Sequence, residues 1–110
     1  MKNIILVLLM IFASSCLNDR KEIIEYYPTG EVECRSYVDK QGVYEGDLTC
    51  FYRNGTIKNI TPFDNHHING IVKKYYANGA IRSEQYFKNG KPFGLLKENF
   101  KNGRLEYMAV

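Results

Sequence analysis

Three sets of residues in this chain could carry chemistry: the cysteines Cys34 and Cys50, the pair His66-His67 with Asp64 beside it, and a recurring series of tyrosines. Each cysteine stands four residues after a glycine, Gly30 and Gly46, where other parts of the chain have Asn59, Ser83 and Tyr107, or Lys74 and Glu98. A loop around Gln41-Gly42 puts them on neighbouring strands, within the Cα separation of about 4.4–6.8 Å that a disulfide needs. Oxidation would then close a short loop, a cross-link worth about 3 kcal/mol. A one-residue slip would instead turn them to opposite faces as two unlinked small hydrophobes. His66, His67 and Asp64 suggest a metal or an acid–base pair. Zinc needs three or four converging ligands, and no further Cys or His cluster lies at motif spacing. The pair reads as a polar loop between strands. There is no Gly-x-Ser-x-Gly elbow, and the glycines recur too regularly to be a phosphate-binding loop. No catalytic residue, metal site or cofactor is expected, and the chain reads as a non-enzyme.

The elements that must position these residues are written several times over. Glycines at 30, 55, 79 and 103 are each preceded three positions earlier by Tyr27, Tyr52, Tyr76 and Phe100, and followed two positions later by Val32, Ile57, Ile81 and Leu105. A second glycine follows at 46, 70 and 94. A fixed period of this length marks a repeat protein. The units run 22–46, 47–70, 71–94 and a truncated 95–110. Each opens with a strand ending in two aromatics (Tyr26-Tyr27, Phe51-Tyr52, Tyr75-Tyr76; Asn99-Phe100 keeps one), turns at an Asn-Gly or Thr-Gly pair, and returns on a second strand. Nothing has the long 3.6-residue stripe of a helix, and β-branched and aromatic residues dominate. The expected fold is all-β, an elongated antiparallel meander of successive hairpins. Read as two-residue turns with both residues at positive φ, the Thr-Gly and Asn-Gly pairs set Tyr27 opposite Val32, Tyr52 opposite Ile57, Tyr76 opposite Ile81 and Phe100 opposite Leu105. Ile23, Leu48, Val72 and Leu96 form a second apolar row, with Glu25, Lys74 and Glu98 between. The picture is a thin sheet packed partly on one side, with a groove.

The pattern G-x-x-x-x-Y-Y-x-N-G-x-I/L-x-x-x-x-x-F-K-N-G-K-x-x-G, clearest in Gly70–Gly94, resembles the bacterial variant of the MORN repeat (membrane occupation and recognition nexus). The resemblance extends over about 22–110. It implies an elongated sheet serving as a protein- or lipid-contacting scaffold, and some bacterial members are grouped with antitoxins. Two departures stand out: an extra residue between Gly30 and Gly42, and His66 where a glycine is expected.

The first residues, MKNIILVLLMIFASSC, have a basic head, an apolar run from Ile4 to Ala13 and small residues before Cys16. Residues 1–15 read as a secretory signal peptide, too short to span a membrane permanently. Ala13-Ser14-Ser15 would suit ordinary signal peptidase, and Ala13-Ser14-Ser15-Cys16 also resembles a bacterial lipobox; the second reading leads here, with Cys16 as the lipidation site and 16–21 as a tether. Acyl chains contribute about 0.8 kcal/mol per buried CH₂, so the expected address is the bacterial cell envelope. Leu17, in place of the Asp that retains many lipoproteins, favours the outer over the inner membrane.

Net charge is +3 with acidic and basic residues interspersed, so no nucleic-acid surface is expected. Tyr26, Phe51 and Tyr75 alternate in face with Tyr27, Tyr52 and Tyr76: either one set forms an exposed aromatic strip beside Lys58 and Arg82, or both sets pack, one in each layer of a twisted sheet. Aromatic and Arg residues are favoured at binding surfaces. The leading expectation is therefore a lipid-anchored envelope module that binds a protein partner. An antitoxin or immunity protein, or a binder of lipid or glycan, are the alternatives. The strand at 105–110 is an unpaired edge, which invites pairing with another chain, either by self-association or by strand addition from a partner.

Overall fold

Short apolar segments bounded by glycine turns can reach stability only by pairing with one another, because a lone hairpin is marginal in water. A computed structural model of the chain shows how they do so; it describes residues 20–109. The segment read as a signal peptide, Cys16 and most of the segment read as a tether lie outside these residues. Nine strands follow in order: β1 (Lys21–Tyr26), β2 (Val32–Val38), β3 (Gly46–Phe51), β4 (Ile57–Asp64), β5 (His67–Ile68), β6 (Gly70–Tyr75), β7 (Ile81–Lys88), β8 (Lys91–Asn99) and β9 (Leu105–Ala109). They form one antiparallel sheet in sequence order, with the two-residue β5 paired to β4 off the main path. The architecture is all-β, an open meander of 55 × 32 × 20 Å. β1 begins at Lys21, inside the segment read as tether, because Lys21 still finds Val38 opposite it on β2.

The hairpin register departs from the expected one by a residue. Tyr26, Phe51, Tyr75 and Asn99 face Val32, Ile57, Ile81 and Leu105, not the residues one position later. The cause is the turn. Gly30, Gly55, Gly79 and Gly103 each donate to the carbonyl three residues back (Tyr27, Tyr52, Tyr76, Phe100), and the amides of those residues donate to Glu31, Thr56, Ala80 and Arg104. These are three-residue loops ending in a positive-φ glycine, in which only the glycine is left-handed. Asn54, Asn78 and Asn102 act through their side chains: each Oδ1 accepts the amide two residues on, at 2.9 Å. The register then skips Glu33, Lys58, Arg82 and Glu106, the bulged residues. True two-residue turns occur at the opposite ends of the strands, where Asn65-His66 and Asn89-Gly90 both have positive φ. His66 thus takes the backbone conformation of the glycine it replaces.

Successive hairpins are fastened to one another by a ladder of side chains. Tyr27 Oη donates to the Phe51 carbonyl (2.5 Å), Tyr52 Oη to that of Tyr75 (2.7 Å), and Tyr76 Oη to that of Asn99 (2.7 Å). Beside them, Asn54 Nδ2 reaches the Ala77 carbonyl and Asn78 Nδ2 that of Lys101. Each such bond contributes about 0.5–1.5 kcal/mol net. The tyrosine three residues before each turn is therefore a clamp on the next repeat as well as an apolar body.

Side chains alternate across a strand, so the register assigns two faces. On one lie Ile23, Ser36, Val38, Leu48, Thr61, Phe63, Val72, Phe87 and Leu96. Val38 and Val72 are the buried hydrophobics among the described residues, and Ser36 is buried with them. This is the packed face. The other carries Ile24, Arg35, Tyr37, Asp47, Ile60, Ile71, Tyr86 and Leu95, and is the open face.

Candidate functional site

The open face is shaped at the junctions between repeats, where the second strand of one hairpin meets the first strand of the next. At the β7–β8 junction, Glu84 pairs with Lys97 and Gln85 with Leu96, and β6 adds Ile71 opposite Tyr86. Ile71, Glu84, Gln85, Tyr86, Leu95 and Lys97 line an open groove of about 250 Å³. Its apolar members stay in contact with solvent: Tyr86 is 47 % exposed, Leu95 43 % and Ile71 41 %. Phe93 extends the surface, its ring meeting Tyr86 edge-on at 6.0 Å. Charge surrounds this patch. Lys97 Nζ lies 4.0 Å from Glu84 Oε1, and Lys88 Nζ lies 5.6 Å from the Phe93 ring centre. Exposed aromatic and aliphatic side chains inside a charged rim have the composition of a recognition surface.

The equivalent junction in the first repeat, β2–β3, also forms a groove, of about 620 Å³, lined by Arg20, Arg35, Tyr37, Asp47, Thr49, Phe51 and Ile57. Its residues engage one another. Arg35 Nε lies 3.3 Å from Glu22 Oε2, and Tyr37 Oη donates to the same oxygen at 3.4 Å. On the packed side of this junction Cys34 stands opposite Cys50, and the two are joined as a disulfide with Cα atoms 4.0 Å apart, closer than the expected range because they face each other directly across the ladder.

The residues proposed from sequence as a binding strip fall out as follows. Tyr26, Phe51 and Tyr75 share the open face at equivalent places, but only Tyr26 is well exposed, at 58 %; Phe51 and Tyr75 are half-buried. Lys58 and Arg82 are bulge residues. Lys58 Nζ lies 5.8 Å from the Tyr52 ring centre, so it covers the clamp tyrosine instead of extending the strip. Arg53 does the same over Tyr27, at 5.3 Å. Sequence reasoning passed over Ile71, Tyr86, Phe93 and Leu95. The signal was present in the position after the second glycine, where Asp47 of one repeat becomes Ile71 and then Leu95.

His66 has a structural task. Its amide donates to the Tyr44 carbonyl (2.9 Å), its Nδ1 accepts the Tyr44 amide (3.3 Å), and its ring stacks on that of Tyr44 at 5.4 Å. His67 Nδ1 lies 3.0 Å from the Asn65 carbonyl oxygen. Among the described residues no group of three or more His, Cys, Asp or Glu side chains is placed to hold a metal ion, and no helix is long and apolar enough to cross a membrane.

Comparison with known families accounts for the middle of the chain. Residues 44–65 and 68–89 each match the MORN repeat variant. Two of the repeats are thus similar to the MORN repeat variant. Each matched segment spans one hairpin, with Gly55 or Gly79 at its tip, so the MORN unit and the structural hairpin coincide. MORN repeats generally serve in binding and scaffolding. No curated protein and no solved structure matches the chain.

Proposed function

We propose that this chain is an exported, lipid-anchored MORN-repeat scaffold of the bacterial cell envelope that binds a protein partner through the open face of its sheet. The observation that carries the binding reading is the groove at the β7–β8 junction, with Ile71, Tyr86 and Leu95 exposed inside a charged rim. An apolar patch of this kind, held on paired strands, keeps its shape without a ligand and loses little entropy on binding. The signal-peptide grammar of residues 1–15 and the position of Cys16 support the address. Anchoring at Cys16 leaves the sheet as the part that meets the partner.

The test is affinity capture of the full-length chain from its own envelope, with mass spectrometry of bait and prey. A single stoichiometric prey, retained by the native chain and lost with Tyr86→Lys plus Leu95→Lys, is the expected result. A bait that begins at an acylated Cys16 is expected with it. A prey equally retained by the double variant would move the site elsewhere, and an unmodified Cys16 would remove the anchor. Binding of a Cys16→Ser form to protein-free liposomes would replace the protein partner with lipid.

A further inference from the structure

The two outer strands of the sheet, β1 and β9, each have one side unpaired among the described residues. They are not alike. β1 is the first strand of a repeat and β9 the second, and inside the sheet every inter-repeat junction joins a second strand to a first strand. From this we propose that β9 of one chain adds to β1 of another copy, antiparallel and head to tail, reproducing the junction that the chain already contains three times.

The register follows from the internal junctions. Each pairs the residue four after a turn glycine with the residue five before the next: Cys34 with Cys50, Asn59 with Lys74, Ser83 with Glu98. The same positions on the outer edges are Tyr107 and Glu25. The neighbouring pairs, Arg35–Thr49, Ile60–Lys73 and Glu84–Lys97, continue as Met108 with Ile24. Gln85–Leu96 continues as Ala109 with Ile23. Met108 is 50 % exposed on the free edge strand and would meet an aliphatic partner. The turn ladder extends as well. Asn54 and Asn78 donate to Ala77 and Lys101, two residues before the next turn glycine; Asn102 would reach Pro28 of the next copy in the same way.

One rung is missing. The tyrosine that clamps each internal junction is Phe100 at the outer edge, which has no hydroxyl for the Tyr26 carbonyl of the next copy. The intermolecular junction therefore has the internal register with one hydrogen bond fewer, and forms reversibly with concentration. Because β9 and β1 are different surfaces, the contact is heterologous and adds copies in a row instead of closing a dimer.

Cys34 and Cys50 provide the probe, since they show that this position across a junction accepts a disulfide. Full-length chains carrying either Glu25→Cys or Tyr107→Cys are mixed in a glutathione redox buffer and digested. Peptide masses separate the new links from any through Cys16. The expected product joins residue 25 to residue 107, appears only in the mixture, and becomes a ladder of multimers when one chain carries both substitutions. Glu25→Cys mixed with Met108→Cys stays unlinked, because those side chains point to opposite faces. Phe100→Tyr supplies the missing rung and raises the association constant about two- to tenfold. Links joining 107 to 107, no 25–107 link from chains with native circular dichroism, or an unchanged constant with Phe100→Tyr would each overturn the proposal.

Discussion

The grooves at the β2–β3 and β7–β8 junctions are the same place in two repeats. Arg35, Tyr37, Asp47 and Thr49 of the first occupy the positions of Glu84, Tyr86, Leu95 and Lys97 of the second. The backbone that makes them is shared: a glycine-ended three-residue loop, a bulge, and a tyrosine clamp to the next hairpin. The chemistry is not shared. In the first groove Glu22 gathers Arg35 and Tyr37 into a polar cluster, and a disulfide lies behind it. In the second, Tyr86 faces Phe93, and Ile71 and Leu95 remain open to water. The repeat sets the shape of a junction, and the non-repeated residues decide whether it is closed on itself or left open to solvent.

That contrast can be broken from either side. The largest effect belongs to Tyr86→Lys with Leu95→Lys: loss of partner capture by more than tenfold, in the range of hot-spot residues. Urea unfolding should meanwhile change by only about 1 kcal/mol, since nearly half of each residue is already exposed. Next is Cys34→Ser with Cys50→Ser, which removes the cross-link from the first junction alone. Under oxidising conditions it should lower the unfolding free energy by about 3 kcal/mol and leave partner capture unchanged. Tyr52→Phe and Tyr76→Phe each delete one clamp and leave a carbonyl without its donor, at about 1 kcal/mol apiece in the same unfolding assay. The smallest effect is Arg35→Gln. Its ion pair with Glu22 is nearly half exposed on both sides, so the change should fall below about 1 kcal/mol and leave capture intact.

Much of this architecture is legible in the residues. The period, the all-β class, the hairpin order and the placement of Cys34 beside Cys50 follow from glycine and aromatic spacing, because pairing in sequence order is the simplest way for such segments to meet. The turn type is less legible. Asn-Gly serves a two-residue turn with two positive φ angles or a three-residue loop with one, and a single residue of register separates them. Asn89-Gly90 takes the first form; Asn54-Gly55 and Asn78-Gly79 take the second. The choice depends on where the flanking strands must pair with the neighbouring repeats. The clamp was hidden for a related reason: its hydroxyls reach 23 or 24 residues along the chain, and the only written hint is that the last member of the series is Phe100. The open groove is hard to read from the sequence because the residues that recur, such as Tyr26, Phe51 and Tyr75, do not line it. Ile71 and Leu95 matter for differing from Asp47.

Tyr37 and Tyr86 offer the most direct test, being the same residue type at the same repeat position in the two grooves. A photo-crosslinking amino acid placed at one or the other, in the full-length chain within its own envelope, reads the contact without relying on loss of binding. The expected result is a covalent adduct with the captured protein from position 86 and none from position 37. An adduct from 37 and not 86, or from neither while the same protein still co-purifies, would contradict it.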